Sequence, residues 1–157
     1  LLPPVLTMPA GQLAGGLACL AVFGEDAPDL IATAPVSPRR HLVAKVEAVL
    51  IAVLAIFAPF LIGVFSHSWT MALIIASGIL VAAGSSTLIQ IWFRSQARRR
   101  YFRRRQTSSR IATFAEAFSS VSWAAAAATA ANESWYWIAP AIVAMLVLAG
   151  AYTIRPR

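Results

Sequence analysis

The chain has 157 residues, of which 59% are hydrophobic and 12% are charged, with a formal net charge of +7 and a mean hydropathy of +0.72. A soluble domain usually carries about 25% charged residues, so this composition excludes an ordinary soluble domain and places the chain in the membrane class. The single cysteine, Cys19, excludes both an internal disulfide and a cysteine-cluster metal site.

Five stretches are long enough to cross a bilayer as helices, which takes about 20 apolar residues. Each is expected to be helical, because lipid offers no partner for an unpaired backbone N–H or C=O group. Four of the five are strongly apolar, whereas the first is rich in glycine and alanine. Pro59 and Pro140 lie inside predicted spans and are expected to bend them. The predicted spans are residues 5–23, 46–65, 70–93, 111–131 and 135–154.

These spans predict an all-α fold, a polytopic transmembrane helix bundle forming one membrane domain over residues 1–157. No basic segment precedes the first apolar run, so a signal peptide is not expected. We expect the chain to be the C-terminal part of a longer protein, because it begins at Leu1 without a methionine.

The basic residues give the bundle an orientation. All 13 lie in residues 24–45, residues 94–110 or the C-terminal tail, and the two other connectors contain none. The positive-inside rule therefore places both basic connectors and the C-terminus in the cytoplasm. Because the charge lies in short connectors, nucleic acid is not an expected partner.

Eight arginines lie within residues 94–110. Such a basic connector orients a membrane protein and attracts anionic lipid by about 1 kcal/mol per residue. An alternative role is to extend the third span as a helix into the cytoplasm, or to contact a soluble partner. The candidates for lipid contact are Arg98, Arg99, Arg100, Arg103, Arg104 and Arg105.

The connector after the first span predicts a short amphipathic helix at the cytoplasmic surface. Asp26 is a candidate N-cap with Pro28 in the first turn, and Pro35 ends the helix. Ser37 and Pro38 then start a helix that continues into the second span. The acidic residues suit a protein partner better than anionic lipid. The segment is therefore either a docking surface for a cytoplasmic protein or an interfacial helix with no partner.

The run Glu-Asp-Ala-Pro-Asp-Leu-Ile-Ala-Thr-Ala-Pro-Val-Ser at residues 25–37, followed by basic residues and a long span, resembles the permease subunits of type-2 ABC transporters. Residues 103–120 also resemble sequence from bacterial permeases of this kind. The resemblance implies that residues 25–37 are a coupling helix, which sits in a groove of an ATPase subunit. The residues implied to make that contact are Glu25, Asp26, Pro28, Asp29, Leu30 and Ile31.

The resemblance also implies a bacterial inner-membrane location, a second permease domain or homodimer, and ATP with Mg on a separate ATPase subunit. The chain has no Gly-x-x-x-x-Gly-Lys-[Ser/Thr] loop and no Ser/His/Asp, Cys/His or paired-carboxylate arrangement. We therefore expect a transport subunit without enzymatic activity, cofactor or metal of its own. The chain departs from such permeases in having only residues 132–134 between its last two spans.

Glu116 is the most notable ionisable residue inside a predicted span. Intramembrane carboxylates are usually paired, and Gln90 lies at a similar depth in the preceding span. Glu116 is therefore either a structural partner of Gln90, Arg94 or Arg110, or a proton site. Small residues recur every four positions around it and indicate close helix packing, with Ser120 as a further polar candidate.

Two other function classes remain open. One is a membrane anchor or scaffold that recruits a cytoplasmic protein without transporting anything. The other is a proton-coupled secondary transporter that uses Glu116.

Overall fold

The computed structural model describes residues 1–23, 37–93 and 102–154, and within them every side chain except those of residues 22, 23, 38 and 102–109. These residues form five α-helices and one 3₁₀ turn, without a strand, so the predicted all-α class is confirmed. The helices are α1 (Leu2–Phe23), α2 (Pro38–Phe65), α3 (Trp69–Trp92), α4 (Phe102–Ala131) and α5 (Ile138–Ile154), with the 3₁₀ turn at Trp135–Trp137.

In the described ranges, four helical segments are long and apolar enough to cross a membrane: Leu2–Ala21, Arg39–Phe65, Trp69–Trp92 and Trp135–Ile154. The first of these is the glycine- and alanine-rich stretch. Among the residues that the structure describes, α4 does not reach the same apolarity, although 111–131 was predicted as a strongly apolar span.

The polarity of α4 follows from its place in the bundle. Four of its polar side chains are buried against other helices rather than exposed at the surface of the bundle. A helix face that contacts protein and not lipid tolerates hydroxyls and a carboxyl, whereas the opposite face of α4 exposes Phe114 and Phe118. The buried polar residues of α4 are Glu116, Ser119, Ser120 and Ser122.

Local signals explain where the helices begin. α2 starts with Pro38, whose missing N–H is harmless at the first helical position, and this start agrees with the sequence prediction. The Ser68 hydroxyl caps α3 by accepting a hydrogen bond from the Met71 N–H at 3.4 Å. Within the predicted connector 24–45, residues 38–45 are helical as expected, and within the connector 94–110, residues 102–110 form the start of α4.

Pro140 does not lie in the middle of a helix. It occupies the first turn of α5, where the backbone N–H groups have no partner within the α-helix, so a bend is not required there. Pro9 in α1 and Pro59 in α2 do lie inside their helices.

Helices α1, α3 and α4 pack against one another and form the centre of the bundle. Helix α2 packs on α1 and α3, whereas α5 packs mainly on α4. Thr7 and Ala127 both lie near Gly78, and Gln90 bonds to Glu116 further along the same helices. These contacts make α3 parallel to α1 and antiparallel to α4. The loops at 66–68 and 132–134 therefore lie at one end of the bundle.

Two apolar clusters hold the helices together. The larger one joins α1, α2 and α3, with Val53, Ile75 and Ile79 fully buried. The smaller one lies toward the other end and joins Ile89 of α3 and Phe93, which follows that helix, to α4 and α5. The buried polar residues of α4 lie where α1 and α3 both contact the helix.

Candidate functional site

Glycines let α1 approach α3 and α4 closely. A Cβ atom added to Gly11 would lie 2.8 Å from the Ser120 Cβ and 3.3 Å from the Ala82 Cβ. One added to Gly15, one turn further along α1, would overlap the carboxyl group of Glu116. Small residues at helix interfaces in membranes allow this kind of backbone approach. Gly11 and Gly15 therefore bring α1 directly against the face of α4 that carries Glu116 and Ser120.

The Glu116 carboxyl is buried at the junction of these three helices, with 6% of the residue exposed. The Gln90 Nε2 of α3 donates a hydrogen bond of 2.7 Å to Glu116 Oε2. This is the pairing that the matching depths of the two residues predicted. Of the two arginines named as alternative partners, Arg94 lies outside the described residues and Arg110 is exposed.

A second polar contact lies one turn along α4. The Gln12 Nε2 of α1 donates a hydrogen bond of 2.7 Å to Ser120 Oγ, which in turn donates to the Ala117 carbonyl. Ser120 was predicted as a polar candidate, whereas Gln12 was not. The available signal was a lone amide in an apolar helix, next to the small residues that mark its packing face.

Further polar groups continue this face of α3 and α4. The Trp123 Nε1 donates to Ser85 Oγ at 3.0 Å. Within the part of the chain that the structure describes, the Ser86 and Ser119 hydroxyls are buried without a hydrogen-bond partner. Ser86 lies one turn from Gln90, and Ser119 lies one turn from Glu116. We call Gln12, Ser86, Gln90, Glu116, Ser119 and Ser120 the Glu116 cluster.

At the basic end of the bundle a hydrogen bond joins α1 and α2. The Lys45 Nζ of α2 donates a hydrogen bond of 2.6 Å to the Ala21 carbonyl in the last turn of α1. Arg39, Arg40 and Arg110 are exposed. The contact joins the two helices that flank residues 24–36.

Several predicted site residues lie outside the described part of the chain. They are the candidates for ATPase contact (Glu25, Asp26, Pro28, Asp29, Leu30 and Ile31) and the arginines Arg98, Arg99 and Arg100. Arg103, Arg104 and Arg105 belong to α4, but their side chains are not described. These arginines therefore extend the start of the fourth helix, whereas the alternative considered was an extension of the third span, which ends at Trp92.

The remaining titratable groups are dispersed. His41 lies near the start of α2 and His67 lies beyond its end, so the length of that helix separates them. Over residues 1–23, 37–93 and 102–154, no three His, Cys, Asp or Glu side chains form a group that could hold a metal ion. The exposed aromatic residues at the end of the bundle opposite the basic residues include Phe65, Trp69, Trp135, Tyr136 and Trp137.

The arrangement can bind and release a proton or stabilise helix packing, since its polar groups are a carboxyl, two amides and three hydroxyls. No protein-family model, no curated protein and no solved structure matches the chain. The assignment of a function therefore depends on the residues and geometry described above.

Proposed function

We propose that this chain is part of the membrane-spanning subunit of an ATP-driven, ABC-type transporter, whose ATPase is a separate polypeptide. In this proposal residues 25–37 face the cytoplasm at the basic end of the bundle and contact the ATPase. The acidic residues Glu25, Asp26 and Asp29 would then meet a protein partner rather than the anionic lipid beside the arginines.

The observation that supports this proposal best is the position of α1. This helix leads directly into residues 24–36, and it lies at the centre of the bundle against α3 and α4. A displacement at its last turn therefore acts on the buried contacts of Gly11 and Gly15. A peripheral helix in the same place would transmit little to the rest of the bundle.

The hydrogen bond between Lys45 and the Ala21 carbonyl adds to this argument. It connects the start of α2 to the end of α1, so the two helices on either side of residues 24–36 are joined at their base. We propose that motion of an ATPase enters the bundle through this joined pair, and that the substrate pathway alternates between the two sides of the membrane.

The test is purification of the chain from the membranes of its own cells, followed by measurement of bound ATPase activity. We expect an ATPase to accompany the chain and to be lost when Asp26→Arg and Asp29→Arg are combined. The matched control is Glu133→Arg, which reverses an exposed charge at the opposite end of the bundle. A stable partner without ATPase activity would instead favour the scaffold function and contradict this proposal.

Glu116 favours one second candidate, a proton-coupled secondary transporter. Its carboxyl is buried with an amide partner, and carboxyls inside membrane proteins form part of the proton relays of pumps and transporters. Transport assays in sealed vesicles separate the two functions. Transport that collapses with the proton gradient and ignores ATP would support the secondary transporter.

A further inference from the structure

Glu116 is the one buried residue with a charged side chain among those that the structure describes. Within that part of the chain, its polar contact is the hydrogen bond from Gln90, a neutral amide. A carboxylate removed from water needs a cation or several hydrogen-bond donors, and one amide supplies much less than either. Binding a proton removes the charge and with it this cost.

The helices around Glu116 offer few other charges. Helix α3 has no titratable side chain between Trp69 and Trp92, and the described part of α1 has only Cys19 besides its terminus. Tyr152 of α5 lies against the Trp92 ring, and Arg110 is exposed six residues before Glu116, about 9 Å along the helix axis. Arg103, Arg104 and Arg105 precede it on the same helix. Because few other charges face Glu116, access of solvent to the carboxyl mainly determines whether it is ionised.

Hydroxyl groups lie next to the carboxyl. Ser119 and Ser120 follow Glu116 by three and four residues and share its helix face. Helices α3 and α4 run antiparallel where Gln90 contacts Glu116. Ser86, which lies one turn before Gln90 on α3, is therefore opposite these serines. The Ser86 and Ser119 hydroxyls have no partner among the described residues, so each retains an unused donor and unused acceptor sites.

We propose that Glu116 is a reversible proton-binding site, and that its charge controls how closely α1 packs on α4 at Gly15. A proton from solvent binds one carboxylate oxygen and gives the neutral acid, whose O–H then donates to a neighbouring hydroxyl. Loss of that proton restores the anion, which must be hydrated or reached by other donors. Because Gly15 lies against the carboxyl, hydration of the anion requires α1 to move away.

This inference goes beyond the proposed function and does not depend on it. It makes the packing of α1 on α4 at Gly15 responsive to pH, whether or not an ATPase acts on residues 24–36. The two ideas meet at one place, since the turn of α1 that carries Gly15 precedes the end of the helix by about two turns.

The first test is infrared spectroscopy of the full chain in lipid vesicles as the pH is varied. The carbonyl stretch of a protonated carboxylic acid is assigned to Glu116 by its absence from Glu116→Gln. We expect this band to appear and disappear reversibly with pH, and we expect Gln90→Leu to shift the midpoint. Glu47→Gln and Glu133→Gln, which alter exposed carboxylates, should leave the band unchanged. A Glu116 band that stays constant at every pH would overturn the proposal.

The second test reports on packing and uses Cys19, one turn beyond Gly15 on α1, as a probe. The rate of its reaction with a membrane-permeant maleimide is measured in the wild type and in Glu116→Gln at each pH. Effects of pH that are common to both proteins cancel in the ratio of the two rates, so the ratio reports the effect of Glu116. We expect the ratio to change several-fold across the transition seen by infrared.

A ratio that stays constant with pH would contradict the proposed control of packing. Should Glu116→Gln fail to fold, Gln90→Leu keeps the test decisive. In that variant the infrared transition and the labelling transition must shift together. A shift in one without the other would also overturn the proposal.

Discussion

Gly15 of α1 lies so close to the Glu116 carboxyl of α4 that even a methyl group at position 15 would overlap it. At the next position along the helix, Gly16 has open space around its Cα, with nothing within 4 Å of an added Cβ. Two adjacent glycines in the same helix thus differ completely in what surrounds them. The same substitution at the two positions therefore separates the effect of close packing on stability from the effect of helix propensity.

We expect Gly15→Ala to lower the stability of the bundle by about 1–3 kcal/mol, the usual cost of overpacking a tight contact. Gly16→Ala should be neutral or stabilising by at most about 1 kcal/mol, because alanine favours the helix and meets no neighbour. The measurement is thermal unfolding in one detergent. If Glu116→Ala restores the stability of Gly15→Ala, the overlap with the carboxyl is the cause.

The contact between Gln90 and Glu116 was accessible from the sequence, because counting residues from the ends of two adjacent spans gave both the same depth. The central place of α1 was not. Its glycines and alanines lower the hydropathy of the stretch, yet the same residues make it the helix that packs most closely on α3 and α4. Hydropathy measures contact with lipid, and Gly11 and Gly15 contact protein.

The extent of the buried polar face of α4 was not predictable from the sequence for a related reason. Ser120 was predicted as a polar candidate, and the structure buries Ser119 and Ser122 between helices as well. The start of α4 at Phe102 also lacked a signal, because a run of arginines has no apolar periodicity from which a helix boundary follows. Such features depend on which helices meet, and a single sequence does not specify that.

Thr7 tests how much a buried hydroxyl without a hydrogen-bond partner lowers the stability of the bundle. Its Oγ1 is buried with no hydrogen-bond partner among the described residues, and it lies near Gly78. An unsatisfied buried hydroxyl costs about 1–3 kcal/mol, so Thr7→Val should stabilise the bundle by about 1 kcal/mol.

Thr87 is the matched control for this substitution. It is equally buried, but its Oγ1 donates to the Ala83 carbonyl at 2.8 Å. Thr87→Val removes that bond along with the hydroxyl and should give a smaller gain or none. Equal changes in the unfolding midpoint for both variants would show that the hydroxyl of Thr7 is satisfied in solution.

The hydrogen bond from Trp123 Nε1 to Ser85 Oγ joins α3 to α4. Hydrogen bonds between helices in membranes contribute about 0.6 kcal/mol on average, so Ser85→Ala should destabilise the bundle by about that amount. Ser77→Ala is the control, because Ser77 is exposed and bonds only to the Ile74 carbonyl of its own helix. A double-mutant cycle with Trp123→Phe measures the pair directly. A coupling energy of zero would mean that the bond does not form in the bilayer.

Lys45 should stabilise the end of α1, since its ammonium group donates to the Ala21 carbonyl, which no N–H within the helix can reach. A hydrogen bond to a charged group contributes about 1.5–3 kcal/mol, and 1.4 kcal/mol corresponds to a tenfold change in an opening equilibrium. We therefore expect Lys45→Gln to accelerate amide hydrogen exchange in residues 20–23 by about tenfold, with little change in the first turns of α1.

Arg40→Gln removes an exposed charge from the same end of α2 and should leave these rates unchanged. If the amides of residues 20–23 exchange equally fast in all three proteins, Lys45 does not stabilise this turn, and the proposed transmission through the joined ends of α1 and α2 loses its structural basis.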